Sequence, residues 1–158
     1  YVLGGLRWAS NLSPRPLTAL LSCAAVPPPP GVDHLVVLAT GPEVLTGSTR
    51  LKAGTATKLA LNQISTTLMV RMGKAYGNLM VDVRASNAKL RDRAARIIAS
   101  VLQIGRDEAF AALDAADGAV KTAIVMKRLG LARSQAEARL AAHDGRLDSL
   151  LNAVGEPG

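Results

Sequence analysis

The amino-acid sequence predicts an α/β fold, with part of a parallel sheet followed by a small all-helical domain. Three observations predict it. Two short apolar runs, residues 17–23 and 33–39, flank a proline-rich connection and read as buried strands. Apolar residues then recur at helical spacing from Ser48 onward and again over residues 87–102. After Gly105 the texture changes to short helical stretches punctuated by glycine.

In chain order, residues 1–12 read as a helix that ends before the Ser13-Pro14-Arg15-Pro16 stretch. Residues 17–23 (LTALLSC) form the first strand. The run Val26-Pro27-Pro28-Pro29-Pro30-Gly31 fits neither a helix nor a central strand, so it is an extended surface connection. Residues 33–39 (DHLVVLA) form the second strand, and residues 40–47 a loop. Leu51, Leu59, Ile64, Leu68, Met69 and Met72 then mark a long helix that stops near Gly73 or Gly77. Met69, Met72 and Met80 read as core filler, and Tyr76-Gly77-Asn78 as a packed turn. Residues 87–102 form an amphipathic helix with Leu90, Ala94, Ile97, Ile98 and Val101 on its apolar side; the basic residues between Arg84 and Arg96 read as a solvated face. Helices are expected at 106–116, 119–129, 134–142 and 147–154. Ser134 is the expected cap of the third, with Glu137 completing a capping box, and residues 155–158 are expected to fray.

Composition narrows the function classes. Hydrophobic residues make up 49% of the 158, too many for a mostly disordered chain. One cysteine, Cys23, excludes a disulfide scaffold; it lies in a predicted strand and reads as an inert core thiol. The longest apolar stretch, residues 17–26, is about half of the roughly 20 residues that a transmembrane helix needs. No signal-peptide pattern is present, so a reduced cytosolic compartment is the simplest inference. The chain opens at Tyr1 inside a predicted helix, which makes a fragment of a longer protein the expectation. A net charge of +7 points to an anionic partner, or simply to solubility. Only 3% aromatic residues weigh against a single-stranded nucleic-acid binder.

The chemistry-bearing segment is GPEVLTGSTRLKAGT, residues 41–55, between a predicted strand and the long helix. Ligands of open α/β sheets bind at the carboxyl ends of strands. Thr46, Ser48, Thr49 and Thr55 offer hydroxyls, and Gly41, Gly47 and Gly54 allow close backbone approach. Arg50 and Lys52 fall in the expected first turn of the helix, where the macrodipole disfavours cations, so an anion or a paired carboxylate is expected beside them. Glu43 is the loop's carboxylate. Equally, Ser48 or Thr49 caps the helix and the segment is a structural junction. It is neither a Walker A loop nor a dinucleotide fingerprint.

The segment GPEVLTGSTRLKAGTATKLALN, followed by MVRMGKAYGNLMVDV and SNAKL, resembles the C-terminal half of the N-acetylmuramic acid 6-phosphate etherase family. These are sugar-isomerase (SIS) domain proteins related to the glucokinase regulatory protein. The stretch GAVKTAIVM at 118–126 is similar to the family's small C-terminal helical (UBA-like) domain. The resemblance implies the C-terminal portion of a SIS-type sandwich over residues 1–83, a connecting helix over 84–103 and the helical domain over 104–154. It also implies a cytoplasmic enzyme of cell-wall sugar recycling. Such an enzyme cleaves the D-lactyl ether by elimination and hydration to give N-acetylglucosamine 6-phosphate and D-lactate. Its implied partner is a phosphorylated amino sugar, with a homodimer when full length, no nucleic acid, no membrane, and no metal or other cofactor. The implied substrate-binding residues are Glu43, Thr46, Ser48, Thr49, Arg50 and Lys52, and Lys121 is either a lid contact or an exposed lysine. The family's catalytic glutamates match nothing in this chain, so no catalytic residue is assigned. Thr57 stands where the family usually has glutamine, and the prolines at 27–30 replace a more ordinary connection. A non-catalytic sugar-phosphate-binding regulator is the alternative, and a nucleic-acid-binding helical module over 84–154 a third reading. The fragment alone is expected to fold poorly, because an incomplete sheet leaves an edge and apolar faces uncovered.

Overall fold

A computed structural model describes residues 1–154. The chain is mixed helix and sheet: α1 Val2–Ser10, β1 Ala19–Ser22, β2 His34–Val37, α2 Lys52–Arg71, β3 Ala75–Tyr76, β4 Leu79–Met80, α3 Ala88–Leu102, α4 Arg106–Ala115, α5 Val120–Leu129, α6 Arg133–Ala142 and α7 Leu147–Val154. It divides into two compact units, Tyr1–Ser65 and Thr66–Gly158. The expected tail at 155–158 lies outside the described residues.

In the first unit β1 and β2 pair in parallel, Ala19 opposite His34 and Ser22 opposite Val37, as the two apolar runs predict. Parallel neighbours are usually joined through a helix. Here residues 23–33 make the connection with no helix, and the four prolines run through it. A polar knot fixes the entry of both strands. The Asp33 carboxylate accepts from the Thr18 amide (2.8 Å) and hydroxyl (2.9 Å), while Arg15 donates to Asp33 Oδ1 (2.8 Å) and to the Gly31 carbonyl (3.1 Å). Thr18 is only 4% exposed, so its hydroxyl needs these partners. The Thr18 amide and hydroxyl together hold the Asp33 carboxyl below the usual carboxylate range, with Arg15 assisting.

The second unit holds the apolar core. Ala94, Ala95, Ile97 and Ile98 of α3 pack with Leu113 of α4, Ile124 and Val125 of α5, Leu140 of α6 and Leu147 and Leu150 of α7. The α3 stripe is therefore core, as its spacing predicts, and Asn87 caps α3 by accepting from the Leu90 amide. Arg91 pairs with Asp114, and Arg96 and Arg106 with Asp92, so the basic side of α3 is laced with ion pairs as well as solvated.

Several expectations are corrected. The turn expected at Tyr76-Gly77-Asn78 is present, and it joins β3 and β4 into an antiparallel hairpin that the sequence reading did not include. The α6 helix starts at Arg133, after Ala132; the Gln135 side chain accepts from the Ala132 amide, while Glu137 pairs with Arg133, so Ser134 is not the cap. The α2 stripe contributes no buried residue. Leu68 is 53% and Met72 58% exposed, and Met69 and Met80 are exposed as well. Methionine is core filler only where another surface lies opposite it. Cys23 follows β1 and is partly exposed, its Sγ 3.5 Å from the Ala53 carbonyl and 3.4 Å from Thr57 Oγ1. At its other end α2 closes at Gly73, whose positive φ lets the Lys74 amide reach the Met69 carbonyl and the Gly73 amide reach Val70. Among the described residues no helix is long and apolar enough to cross a membrane.

Candidate functional site

The loop over residues 41–51 leaves the carboxyl end of β2 and enters α2. Short turns fold it: the Ser48 amide donates to Leu45, Thr49 to Gly47 and Leu51 to Ser48. The helix begins at Lys52 rather than Ser48, so Arg50 precedes its first turn and only Lys52 sits within it.

The start of a helix leaves four amides without an intrahelical partner unless something supplies one. All four are satisfied here. Lys52 donates to Glu43 Oε2 (2.9 Å) and Ala53 to Glu43 Oε1 (3.0 Å). Gly54 donates to the Thr49 carbonyl (2.8 Å), and Thr55 to the Leu51 carbonyl (3.0 Å). The cap is thus a carboxylate from nine residues upstream, where the expected caps were Ser48 or Thr49. The amides of Ala53 and Lys52 hold the Glu43 carboxyl below its usual range, against a small desolvation effect, and the Lys52 ammonium adds to them. The carboxylate is thus bonded to the backbone of the helix start, and the Lys52 side chain acts on it only through its charge.

The other expected site residues are placed differently. Among the described residues the side-chain hydroxyls of Thr46, Ser48 and Thr49 make no hydrogen bond, and Arg50 and Lys52 form no ion pair. Thr46, Thr49, Arg50 and Lys52 are exposed and Ser48 is half-buried. A shallow depression of about 540 Å³ is lined by Arg50, Leu51, Lys52, Thr55, Ala56 and Leu59. The loop therefore keeps its anion receptors free while its own carboxylate is turned onto backbone.

In the second unit Lys121 is no exposed lysine. Its side chain is 18% exposed, and its Nζ donates to the Gly145 carbonyl (2.9 Å) and pairs with Asp82 (3.2 Å), which Lys74 also meets at 3.2 Å. Burial pushes the Asp82 carboxyl up, but the hydrogen bonds from Lys121 and Lys74 outweigh it and the net direction is down. Asp82, Arg84, Lys121 and Thr122 line a cleft of about 330 Å³. The sequence reading missed both this link and the Asp33–Thr18 knot, since their partners lie far apart in the chain. Among the described residues no group of three or more His, Cys, Asp or Glu could hold a metal ion.

No family model matches the chain. Curated relatives do. It is 49% identical over 158 residues to a Synechococcus protein, covering 98% of this chain and 49% of the relative. It is 51% identical over 152 residues to a Deinococcus radiodurans protein, covering 96% and 49%. A Rubrobacter xylanophilus protein is 54% identical over 148 residues, covering 90% and 47%. All three are etherases by name, which sets the class as a homologue of enzymes that break a carbon–oxygen bond. Each of them is named N-acetylmuramic acid 6-phosphate etherase, and the chain is similar to them along nearly its whole length. It spans about half the length of the curated relatives it matches.

Proposed function

We propose that this chain is the C-terminal half of an N-acetylmuramic acid 6-phosphate etherase and that the loop over residues 41–55 is part of its substrate site. The observation that carries this reading is the identity of about half of all residues with etherases along nearly the whole chain. The free cation-and-hydroxyl cluster of the loop supports it. Thr46, Ser48 and Thr49 suit sugar hydroxyls or a phosphate, and Arg50 and Lys52 suit the phosphate or the lactyl carboxylate. In the reaction a base removes the C2 proton of the open-chain sugar. An acid assists departure of D-lactate from C3, and water then adds back at C3. The acid and base belong to the part of the family that this chain does not match.

With this reading go a SIS-type parallel-sheet sandwich, to which residues 1–83 contribute the last portion. Residues 84–103 then connect it to the helical domain over 104–154. The whole protein is a cytoplasmic homodimer acting on a phosphorylated amino sugar, without metal or other cofactor.

The test has two arms on the purified chain, with circular dichroism to establish folding. Titration with N-acetylglucosamine 6-phosphate is expected to shift resonances of Thr46, Ser48, Thr49 and Arg50 saturably. A folded chain whose loop does not respond overturns the substrate-site reading. Incubation with N-acetylmuramic acid 6-phosphate is expected to release no D-lactate. Release at an enzyme-like rate would instead place the acid and base within these residues, with Glu43 the first to substitute.

A further inference from the structure

We infer that Glu43 is a positioning residue: its carboxylate replaces an external anion at the start of α2 and holds the loop over residues 44–51 in the shape that presents Thr46, Ser48, Thr49 and Arg50. This rests on the substrate-site reading of that loop and assigns Glu43 a role in it other than ligand contact.

The argument is geometric. Glu43 and Thr49 bracket most of the loop, and both are bonded to the first turn of α2. Glu43 takes the amides of Lys52 and Ala53, one with each carboxylate oxygen. Thr49 takes the amide of Gly54 through its carbonyl. A Cβ at position 54 would lie 3.3 Å from that carbonyl, so the approach is close enough to favour glycine there. The loop is thereby pinned at two points, and the side chains between them remain unbonded among the described residues.

Two consequences separate this arrangement from a ligand site at the helix terminus. The α2 start has no amide left for a phosphate, because Thr55 is already bonded to Leu51. A phosphate held by this loop is therefore held by side chains, Arg50 foremost, and not by the helix. In addition, the charge that neutralises the N-terminal end of α2 is internal, so the loop keeps its shape without ligand. The Lys52 ammonium is the charged group that acts on the Glu43 carboxylate. Protonating Glu43 removes a charged acceptor and loosens the pin.

The clamp is read directly by NMR of the isotopically labelled chain. The amide resonances of Lys52 and Ala53 are expected to titrate together, with a midpoint below the ordinary glutamate value of 4.5, and to lose that titration in E43Q. Glutamine offers a single acceptor oxygen, so one of the two amides is expected to exchange with solvent about tenfold faster or more. Affinity for N-acetylglucosamine 6-phosphate is expected to fall in the order wild type, E43Q, E43A, whereas R50Q weakens binding and leaves the amide titration intact. Lys52 and Ala53 amides that ignore the carboxyl titration overturn the clamp. So does a Glu43 side chain that shifts on ligand addition while the two amides stay still. If the sugar phosphate does not bind at all, the substrate-site reading fails, and the amide titration still decides the clamp.

Discussion

The amide of Gly54 donates to the carbonyl of Thr49 at 2.8 Å, and a methyl group on Gly54 would stand 3.3 Å from the same oxygen. A glycine inside a helix ordinarily costs about 0.5–1 kcal/mol relative to alanine. G54A is therefore expected to forgo that gain, because the loop carbonyl must retreat by a few tenths of an ångström. Gly5, inside α1, has nothing within 4 Å of the corresponding position, so G5A is expected to stabilise by about 0.5–1 kcal/mol. Chemical denaturation of the two variants side by side checks the contrast, and an equal gain in both would remove the close approach.

Acid is expected to weaken the first unit through Asp33. Its folded pKa is depressed below the ordinary value of 3.8, so the stabilisation is complete above that value and is lost as pH falls through the folded pKa. Melting temperature followed from pH 6 downward should decline through this acid limb, and more shallowly in D33N. A D33N profile parallel to wild type would exclude the Asp33 carboxylate as the source.

The Lys121 link predicts a salt-insensitive loss on truncation. K121A leaves the Gly145 carbonyl without its side-chain donor and Asp82 with Lys74 alone. A cost of about 1–2 kcal/mol is expected, at the lower end because Asp82 keeps a third of its surface in water. Urea unfolding at low and high salt measures it. A loss that vanishes at high salt would reduce the contact to surface Coulomb attraction.

Core and stripe should respond unequally to truncation. Ile124 is fully buried in the second unit, and I124A is expected to cost about 2–5 kcal/mol. Leu68, from the apolar stripe of α2, is 53% exposed, and L68A should stay within about 0.5 kcal/mol. Denaturation midpoints compare them directly.

These contrasts mark where the sequence is legible. Periodicity alone places α3 and its buried Ala94, Ile97 and Ile98. The parallel pairing of β1 and β2 follows from two apolar runs. The start of α2 is not legible, because its cap is Glu43, and local rules look for a capping residue beside the helix. The same rules favour Ser134 over Ala132, although the side chain that serves the α6 start is Gln135, inside the helix. Strands as short as Ala75–Tyr76 carry too few residues for alternation to appear. Met72 reads as core by its chemistry, yet exposure is decided by what lies across from a side chain, which no spacing records. In the candidate site the residue types were legible and their division of labour was not: the free hydroxyls and Arg50 on one side, the backbone-bound Glu43 on the other.

The prolines between β1 and β2 set a length. To pair in parallel, the chain must return along the whole of β1, and a four-residue strand rises about 13 Å. Consecutive prolines favour an extended conformation that rises about 3 Å per residue, and the run leads into a turn at Pro30-Gly31, where the Val32 amide donates to the Pro29 carbonyl. The run resists shortening like a strut. Deleting one proline would draw the entry of β2 along its neighbour, and the register of Ala19 with His34 would be the first thing to slip.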